Sequence, residues 1–232
     1  MKRPAGLAYV VAKAPQPGVS KTRLCPPLTP DQASHLAAAF LRDTLSNVTL
    51  AGLSPRIVCR GMTDQQELRR LVGPLTHVSI QSGAGLGDAL EGAFREGVAD
   101  GFAAVAVLGA DSPTLPVLVI REAFAALTNG ADVALGPAED GGYYLLAARG
   151  VHPSLFYDMP WSTSGVASET LRRCRALGLR THVLPAWYDV DDAASVAILR
   201  MDLRRLPVST APNTRAALEA LDDVTVRPGR AA

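Results

Sequence analysis

AVAVLGADSPTLP, residues 104–116, is an apolar run that ends abruptly on an acid, a serine and a proline. A continuous apolar stretch without polar alternation suits a strand covered on both faces, the condition of a parallel-sheet interior. Pro113 cannot join a sheet ladder, so the strand stops and presents Asp111 at its carboxyl tip. A helix is expected to follow over 116–128. The same grammar repeats on either side. LAYVVA (7–12), RIVCR (56–60), HVSIQ (77–81), DVALG (132–136), GYYLLAA (142–148) and RTHVLP (180–185) read as strands. Helical patterns fall over 29–48, 64–72, 86–98, 165–178 and 192–206, the first with Thr29 as cap and Pro30 in its opening turn. This alternation predicts an α/β fold: a single-domain, three-layer α/β/α sandwich around a mostly parallel, Rossmann-like sheet. The domain is expected over 1–206, and the Pro-, Thr- and Arg-rich stretch 207–232 as a partly flexible tail.

Composition narrows the function classes. The chain of 232 residues is 48% hydrophobic and 19% charged, ordinary material for one packed core. A net charge of +1 supplies no global field for nucleic acid, so no nucleic-acid partner is expected and any anion site must be built locally. Cys25, Cys59 and Cys174 are scattered without CxxC spacing, which points to a reducing compartment and against a disulfide framework or zinc site. The apolar run at the start is cut off by Lys13 and is too short for a signal peptide or membrane span. The expected setting is cytoplasmic, with no membrane partner. His35, His77, His152 and His182 lack ligand spacing, and no G-x-S-x-G elbow or Cys-His pairing signal appears.

One loop concentrates charge. VVAKAPQPGVSKTRL (10–24) leaves the first strand through a Pro/Gly turn and fails the G-x-x-x-x-G-K-[ST] pattern of a P-loop. It nevertheless departs from the carboxyl end of a strand, where α/β sheets bind ligands. Gly18 permits close backbone approach, and Lys13, Lys21 and Arg23 place three cations in a short turn with no acid nearby in sequence. The pattern fits an anion site and equally a solvated basic loop. GAGLGDAL (83–90) misses the dinucleotide fingerprint G-x-G-x-x-G, because Asp88 stands at the third glycine. Its glycines fit a helix start whose backbone donors, Gly85 among them, face a ligand, or simply a tight turn. Asp111 over the same sheet edge suits a divalent ion bridging phosphate oxygens, or a helix cap. In WYDVDDAASV (187–196), Asp189 and Asp191 would point to opposite sides of an extended stretch, so one is expected as a ligand and the other as a cap.

Lys13 to Leu24, LGADSPTLP, EDGGYYLL (139–146), PWST (160–163) and DVDD (189–192) together resemble the nucleotide-diphospho-sugar-transferase-like proteins of GT-A type. The opening motif is also similar to 2-phospho-L-lactate guanylyltransferases, and more distantly to molybdenum cofactor guanylyltransferases. The resemblance spans roughly residues 7–200, with the motifs in the expected order. It departs from the family in AGLGDAL, which lacks the usual Gly-Asp-Leu-Gly run, and in Asp192-Ala193, where Thr-Pro is usual.

The resemblance implies that Lys13, Lys21 and Arg23 hold a di- or triphosphate, with Ala14, Gly18 and Gly85 lining the nucleotide site. It implies Asp111 as first metal ligand and Asp191 or Asp189 as second, with Mg2+ or Mn2+ as cofactor. Asp140, Gly141, Gly142 and Tyr143 would floor the acceptor pocket, bordered by Trp161, Ser162 and Thr163. Lys21, Arg23 and Asp111 would be catalytic. The residues' own pattern also fits a hairpin turn for DGG and a core anchor for Trp161. The expected reaction joins a nucleoside triphosphate to a small phosphorylated or phosphonate acceptor with release of pyrophosphate. The alternatives are GT-A glycosyl transfer from a nucleotide sugar and a non-catalytic nucleotide- or partner-binding module. Homodimerisation is left open.

Overall fold

In a computed structural model, residues 6–83 and 85–226 are described, with side chains to residue 222; Ala84 and the ends of the chain, 227–232 among them, lie outside. Seven strands form one sheet: β1 (Leu7–Val11), β2 (Ser54–Cys59), β3 (His77–Ile80), β4 (Val105–Gly109), β5 (Val133–Pro137), β6 (Tyr143–Ala148) and β7 (Thr181–Val183). Their order is β3-β2-β1-β4-β6-β5-β7. β6 runs antiparallel to β4 and β5, while β3, β2, β1 and β4 pair in parallel, as do β5 and β7. Helices α1 (Pro30–Leu50), α2 (Met62–Val72), α3 (Leu86–Ala99), α4 (Val117–Thr128), α5 (Val166–Ala176), α6 (Ala193–Arg205) and α7 (Pro212–Val226) complete the chain.

Strand alternation sorts the core onto two faces. In β1, Ala8 and Val10 pack with Leu41, Val48, Ile120 and Leu127 of α1 and α4. Leu7 and Tyr9 face Leu90, Phe94 and Cys174 of α3 and α5. The three layers follow from that period of two. α3 comes close to the sheet because Gly97 has no Cβ; one there would stand 2.6 Å from Val105 Cγ2 and 2.9 Å from Leu7 Cδ2.

A third cluster lies off the sheet. Leu24, Leu36, Phe40, Val190, Leu199, Leu203, Leu218 and Leu221 join α1, α6, α7 and the two loops that carry Arg23 and Asp191. Residues 212–226, inside the expected tail, thus form a helix packed on α1. Its start is fixed by Asp43 of α1, 1% exposed, whose carboxylate accepts from the Asn213 and Thr214 N–H groups at 3.1 and 2.8 Å and from Asn213 Nδ2 at 2.7 Å. The sequence lacks a local capping signal because the cap comes from a distant helix. α1 begins as expected: Thr29 and Gln32 form a reciprocal capping box with Pro30 in the first turn.

Two cap assignments need correction. α4 starts after Pro116 with no side-chain cap, so Asp111 does not cap it. α6 is capped by Asp192, which accepts from the Ser195 N–H at 2.8 Å, and by neither Asp189 nor Asp191.

Candidate functional site: a cleft at the carboxyl edge

Register brings the site together. Val11 pairs with Val58 on one side and Gly109 on the other, so β1, β2 and β4 end level. β1 also stands where strand order reverses, β2 lying to one side and β4 to the other; such a switch point opens a crevice beyond the strand ends. A cleft of about 600 Å³ lies there, lined by Lys13, Lys21, Arg23 and others of the 11–23 loop, though not Ala14 or Gly18, and by Arg60, Gln81, Asp111 and Asp191.

The basic loop is held from outside. Asp64 of α2 accepts the Ala14 N–H at 3.1 Å, and Glu67 accepts from Gln16 Nε2 at 2.7 Å. Ser20 Oγ closes the turn onto the Ala14 carbonyl at 3.2 Å. Gly18 turns at φ +74° and Lys21 sits in the left-handed region at φ 51°, ψ 41°, unusual for a residue with a side chain.

That turn aims Lys21 inward. Its Nζ lies 2.6 Å from Asp111 Oδ1 and 2.7 Å from Asp191 Oδ1, and its side chain is 8% exposed while the two carboxylates are 46% and 45% exposed. The acids missing from the local sequence thus arrive from the loop after β4 and from the segment before α6. The Val190 N–H donates to the Asp111 carbonyl at 2.9 Å and fastens these two segments side by side. Burial works against the lysine's charge, but the two carboxylates outweigh it and the ammonium's pKa is raised. Lys13 and Arg23 are exposed and form no ion pair among the described residues.

Asp189 differs from its neighbours. Its Oδ1 accepts from the buried Ser112 hydroxyl at 2.5 Å. Burial raises its pKa to about 6; the Ser112 bond opposes this, and the charges of Asp111, Asp140 and Asp191 add to it. Asp111 and Asp191 meet at one point and line the cleft; Asp189 does not join that meeting.

The other expected residues divide. Lys13, Lys21, Arg23, Gly85, Asp111, Ser162 and Asp191 line the cleft. Ala14 is buried with its N–H committed to Asp64, and the Gly85 N–H is donated to Asp88 Oδ2 at 3.1 Å. Asp140, Gly141, Gly142, Tyr143, Trp161 and Thr163 lie outside that lining and build an adjoining wall. EDGG is the turn of the β5–β6 hairpin: Asp140 Oδ1 accepts the Gly142 N–H at 2.8 Å. Gly141 has φ +91°, and a Cβ there would overlap the Ser164 backbone. Tyr143 meets Trp161 edge-on, ring centres 6.3 Å apart. Ser162, φ 64°, carries this loop to the cleft.

Arg60 and Gln81 were missed from sequence. Each follows a strand end, β2 and β3, so the reasoning that singled out Asp111 after β4 would have found both. Cys59 lines the cleft, yet its thiol pKa is raised by burial and by Asp64, which disfavours the nucleophilic thiolate. No histidine lines the cleft among the described residues.

The fold is that of nucleotidyl- and glycosyltransferases with a GT-A-like sheet, as solved structures bear out. A "putative nucleotide-diphospho-sugar transferase" from Desulfovibrio desulfuricans G20 is 28% identical, covering 97% of this chain and 98% of its own, with TM-score 0.87. CMP:2-keto-3-deoxy-manno-octonic acid synthetase, complexed with CTP, is 12% identical over 86% of this chain and 98% of its own, TM-score 0.56. Glucosyl-3-phosphoglycerate synthase from Mycobacterium tuberculosis, complexed with Mn2+, UDP and glucosyl-3-phosphoglycerate, is 15% identical over 88% of this chain and 82% of its own, TM-score 0.50. No functionally curated protein matches in sequence. The chain belongs to the family described as "Uncharacterized protein conserved in bacteria (DUF2064)", whose model matches residues 44–163. No helix among the described residues is long and apolar enough to cross a membrane.

Proposed function

We propose that the protein transfers a nucleotidyl group from a nucleoside triphosphate to a small acceptor bearing a phosphate or phosphonate. The observation that carries this reading is the pairing, in one cleft at the sheet's switch point, of two exposed cations, Lys13 and Arg23, with two convergent carboxylates; Arg23 also feels the charge of Asp192, at the start of α6. Lys13 and Arg23 form no ion pair among the described residues and face the cleft, so a polyphosphate is the complementary ligand. Asp111 and Asp191 place one oxygen each within 2.7 Å of a shared point, where hard oxygen donors suit magnesium or manganese completed by phosphate oxygens. Among the described residues no third His, Cys, Asp or Glu joins them, and two carboxylates completed by substrate phosphates suit magnesium, so the residues fit the ion. When bound, a divalent cation would neutralise charge on the phosphate oxygens.

The chain's own residues then position the reaction. Lys13, Arg23 and Lys21 hold the polyphosphate and stabilise the departing pyrophosphate. The wall of Asp140–Tyr143 and Trp161–Thr163 orients the acceptor. An acceptor oxygen attacks the α-phosphorus; the new P–O bond forms as the bond to the β-phosphate bridging oxygen breaks, and its electrons leave with pyrophosphate. An ionised phosphate acceptor brings no proton to remove, in keeping with a cleft lining free of histidine among the described residues. Catalysis is positioning and electrostatic stabilisation.

The likeness to the Desulfovibrio "putative nucleotide-diphospho-sugar transferase" favours a second reading, glycosyl transfer from a nucleotide-diphospho-sugar. Calorimetry with magnesium separates the two. The four ribonucleoside triphosphates are titrated against UDP- and GDP-sugars. Micromolar binding of one triphosphate, weakened by Arg23→Ala, supports nucleotidyl transfer. Tight binding of a nucleotide sugar alone transfers the case to the second reading, and silence from both panels removes both.

A further inference from the structure

We infer that Lys21 is a built-in counter-ion that occupies the divalent-cation position of the ligand-free protein and must be drawn away before a metal can bind. The inference rests on the reading of Asp111 and Asp191 as a cation site. Its own evidence is geometric. The ammonium lies 2.6 and 2.7 Å from one oxygen of each carboxylate, so it stands on the point where those oxygens converge. No metal can reach that point while the nitrogen is there. Metal and lysine therefore compete for the same two oxygens.

Three features make the competitor mobile and not a fixed strut. The charged tip enters from a left-handed residue at φ 51°, a backbone state that a residue with a side chain holds only while its surroundings impose it. Lys21 opens a short turn of 3-10 helix, Thr22–Leu24, and the bonds that hold the loop from α2 fall on Ala14 and Gln16, not on Lys21. Most directly, both carboxylates are nearly half exposed, so solvent or an incoming cation can reach them from the cleft. The alternative resting place for the ammonium is a polyphosphate between Lys13 and Arg23, in the same cleft. Each ligand then assists the other. Phosphate oxygens attract Lys21 out of the acid pair, and the vacated pair accepts the metal that those same phosphates help to coordinate. The protein would discriminate against metal alone and accept metal with polyphosphate, a coupling of two ligands through one side chain.

The test uses Mn2+ alone with the full-length protein, its free concentration read by electron paramagnetic resonance, with no nucleotide and no turnover. Lys21→Met removes the competing charge while keeping the stem. Lys21→Met should bind Mn2+ about tenfold or more tightly than the unaltered protein, since a full charge at contact distance is removed from both ligands. Adding Asp191→Asn to Lys21→Met should abolish the gain and locate it at the acid pair. Lys21→Gln serves as a second variant, and thermal melting checks that each is folded. Equal Mn2+ affinity in the folded variants and the unaltered protein overturns the inference. Unfolding of both lysine variants also overturns it, because the lysine would then be a structural strut. The outcome is separable from the proposed reaction. A gain in Mn2+ affinity with no nucleotide binding leaves the counter-ion standing and removes the transferase. Nucleotide binding without a gain does the reverse.

Discussion

At the scale of single residues, the cleft places opposite charges on a common point, while Lys13 and Arg23 beside it form no ion pair among the described residues. If transfer occurs as proposed, Asp111→Asn keeps the shape but removes half of the carboxylate pair. A fall in turnover of about a hundredfold or more is expected, with the melting temperature little changed, since the side chain is nearly half exposed. Steady-state kinetics beside a thermal melt checks both parts. Gly141 makes a different demand. At φ +91°, with the Ser164 backbone where a Cβ would go, Gly141→Ala must move either the hairpin turn or the 160–165 loop. A loss of about 1–3 kcal/mol is expected from the backbone conformation alone. Urea unfolding measures it, and an unchanged midpoint would show that the loop yields freely. Asp111 was legible in the sequence because a strand end followed by Ser-Pro announces itself locally. The pairing of Lys21 with both Asp111 and Asp191 was not legible, because it joins distant segments, the contact to Asp191 across 170 positions.

Secondary-structure elements carry the next layer of constraint. The α5 helix is tied to the 154–158 segment by Arg173, whose guanidinium donates to the carbonyls of Ser154, Tyr157 and Asp158 while its Nε meets Glu169 at 2.7 Å. One side chain thus fixes the segment leading into PWST. Arg173→Ala leaves three carbonyls to find water and should lower stability by about 1–3 kcal/mol, measured by denaturant unfolding. The acid beneath it sets a pH dependence. Hydrogen bonds from Arg172 and Arg173 depress the Glu169 carboxyl to about 2, below the ordinary glutamate value of 4.5. A carboxyl depressed in the folded state contributes stability that is complete above about 4.5 and drains away as pH falls toward 2. Glu169→Gln should therefore flatten the stability profile across that window and change its slope little near neutrality. Melts at stepped pH show it, and parallel profiles for the two proteins would rule the linkage out. Most elements here were readable from apolar periodicity. The exception, α7, lacks a local cap, and Asp43 supplies one through the fold.

The whole molecule explains why the end of the chain concerns the cleft. From sequence, 207–232 reads as an appendage to a domain that closes at residue 206, because the stretch is polar and follows a complete α/β alternation. In the structure, Ala211, Leu218 and Leu221 share a core with Leu24 and Val190. Leu24 is the residue after Arg23, and Val190 lies between Asp189 and Asp191, so one apolar cluster buttresses two residues that line the cleft, Arg23 and Asp191. Periodicity within a helix reveals which face is apolar but not which distant loops will meet it; that information resides in tertiary packing alone. A chain ending at residue 206 should therefore lose more than a tail. It uncovers Phe40 and Leu36, leaves buried Asp43 without its three N–H donors, and removes the support behind both arms of the site. The expected fall is several kcal/mol, which for a chain of this size lowers the melting temperature by about 10 °C or more. Ligand affinity should fall further at a temperature where the shortened chain remains folded, because Arg23 and Asp191 would no longer be held in place. Calorimetric melting and nucleotide titration of the shortened chain test the two parts separately. Full stability with full affinity would make α7 a passenger and return the domain boundary to residue 206. Lowered stability with intact affinity would mean that the sheet edge alone positions the cleft, through the Val190-to-Asp111 backbone bond and the α2 carboxylates that hold the basic loop.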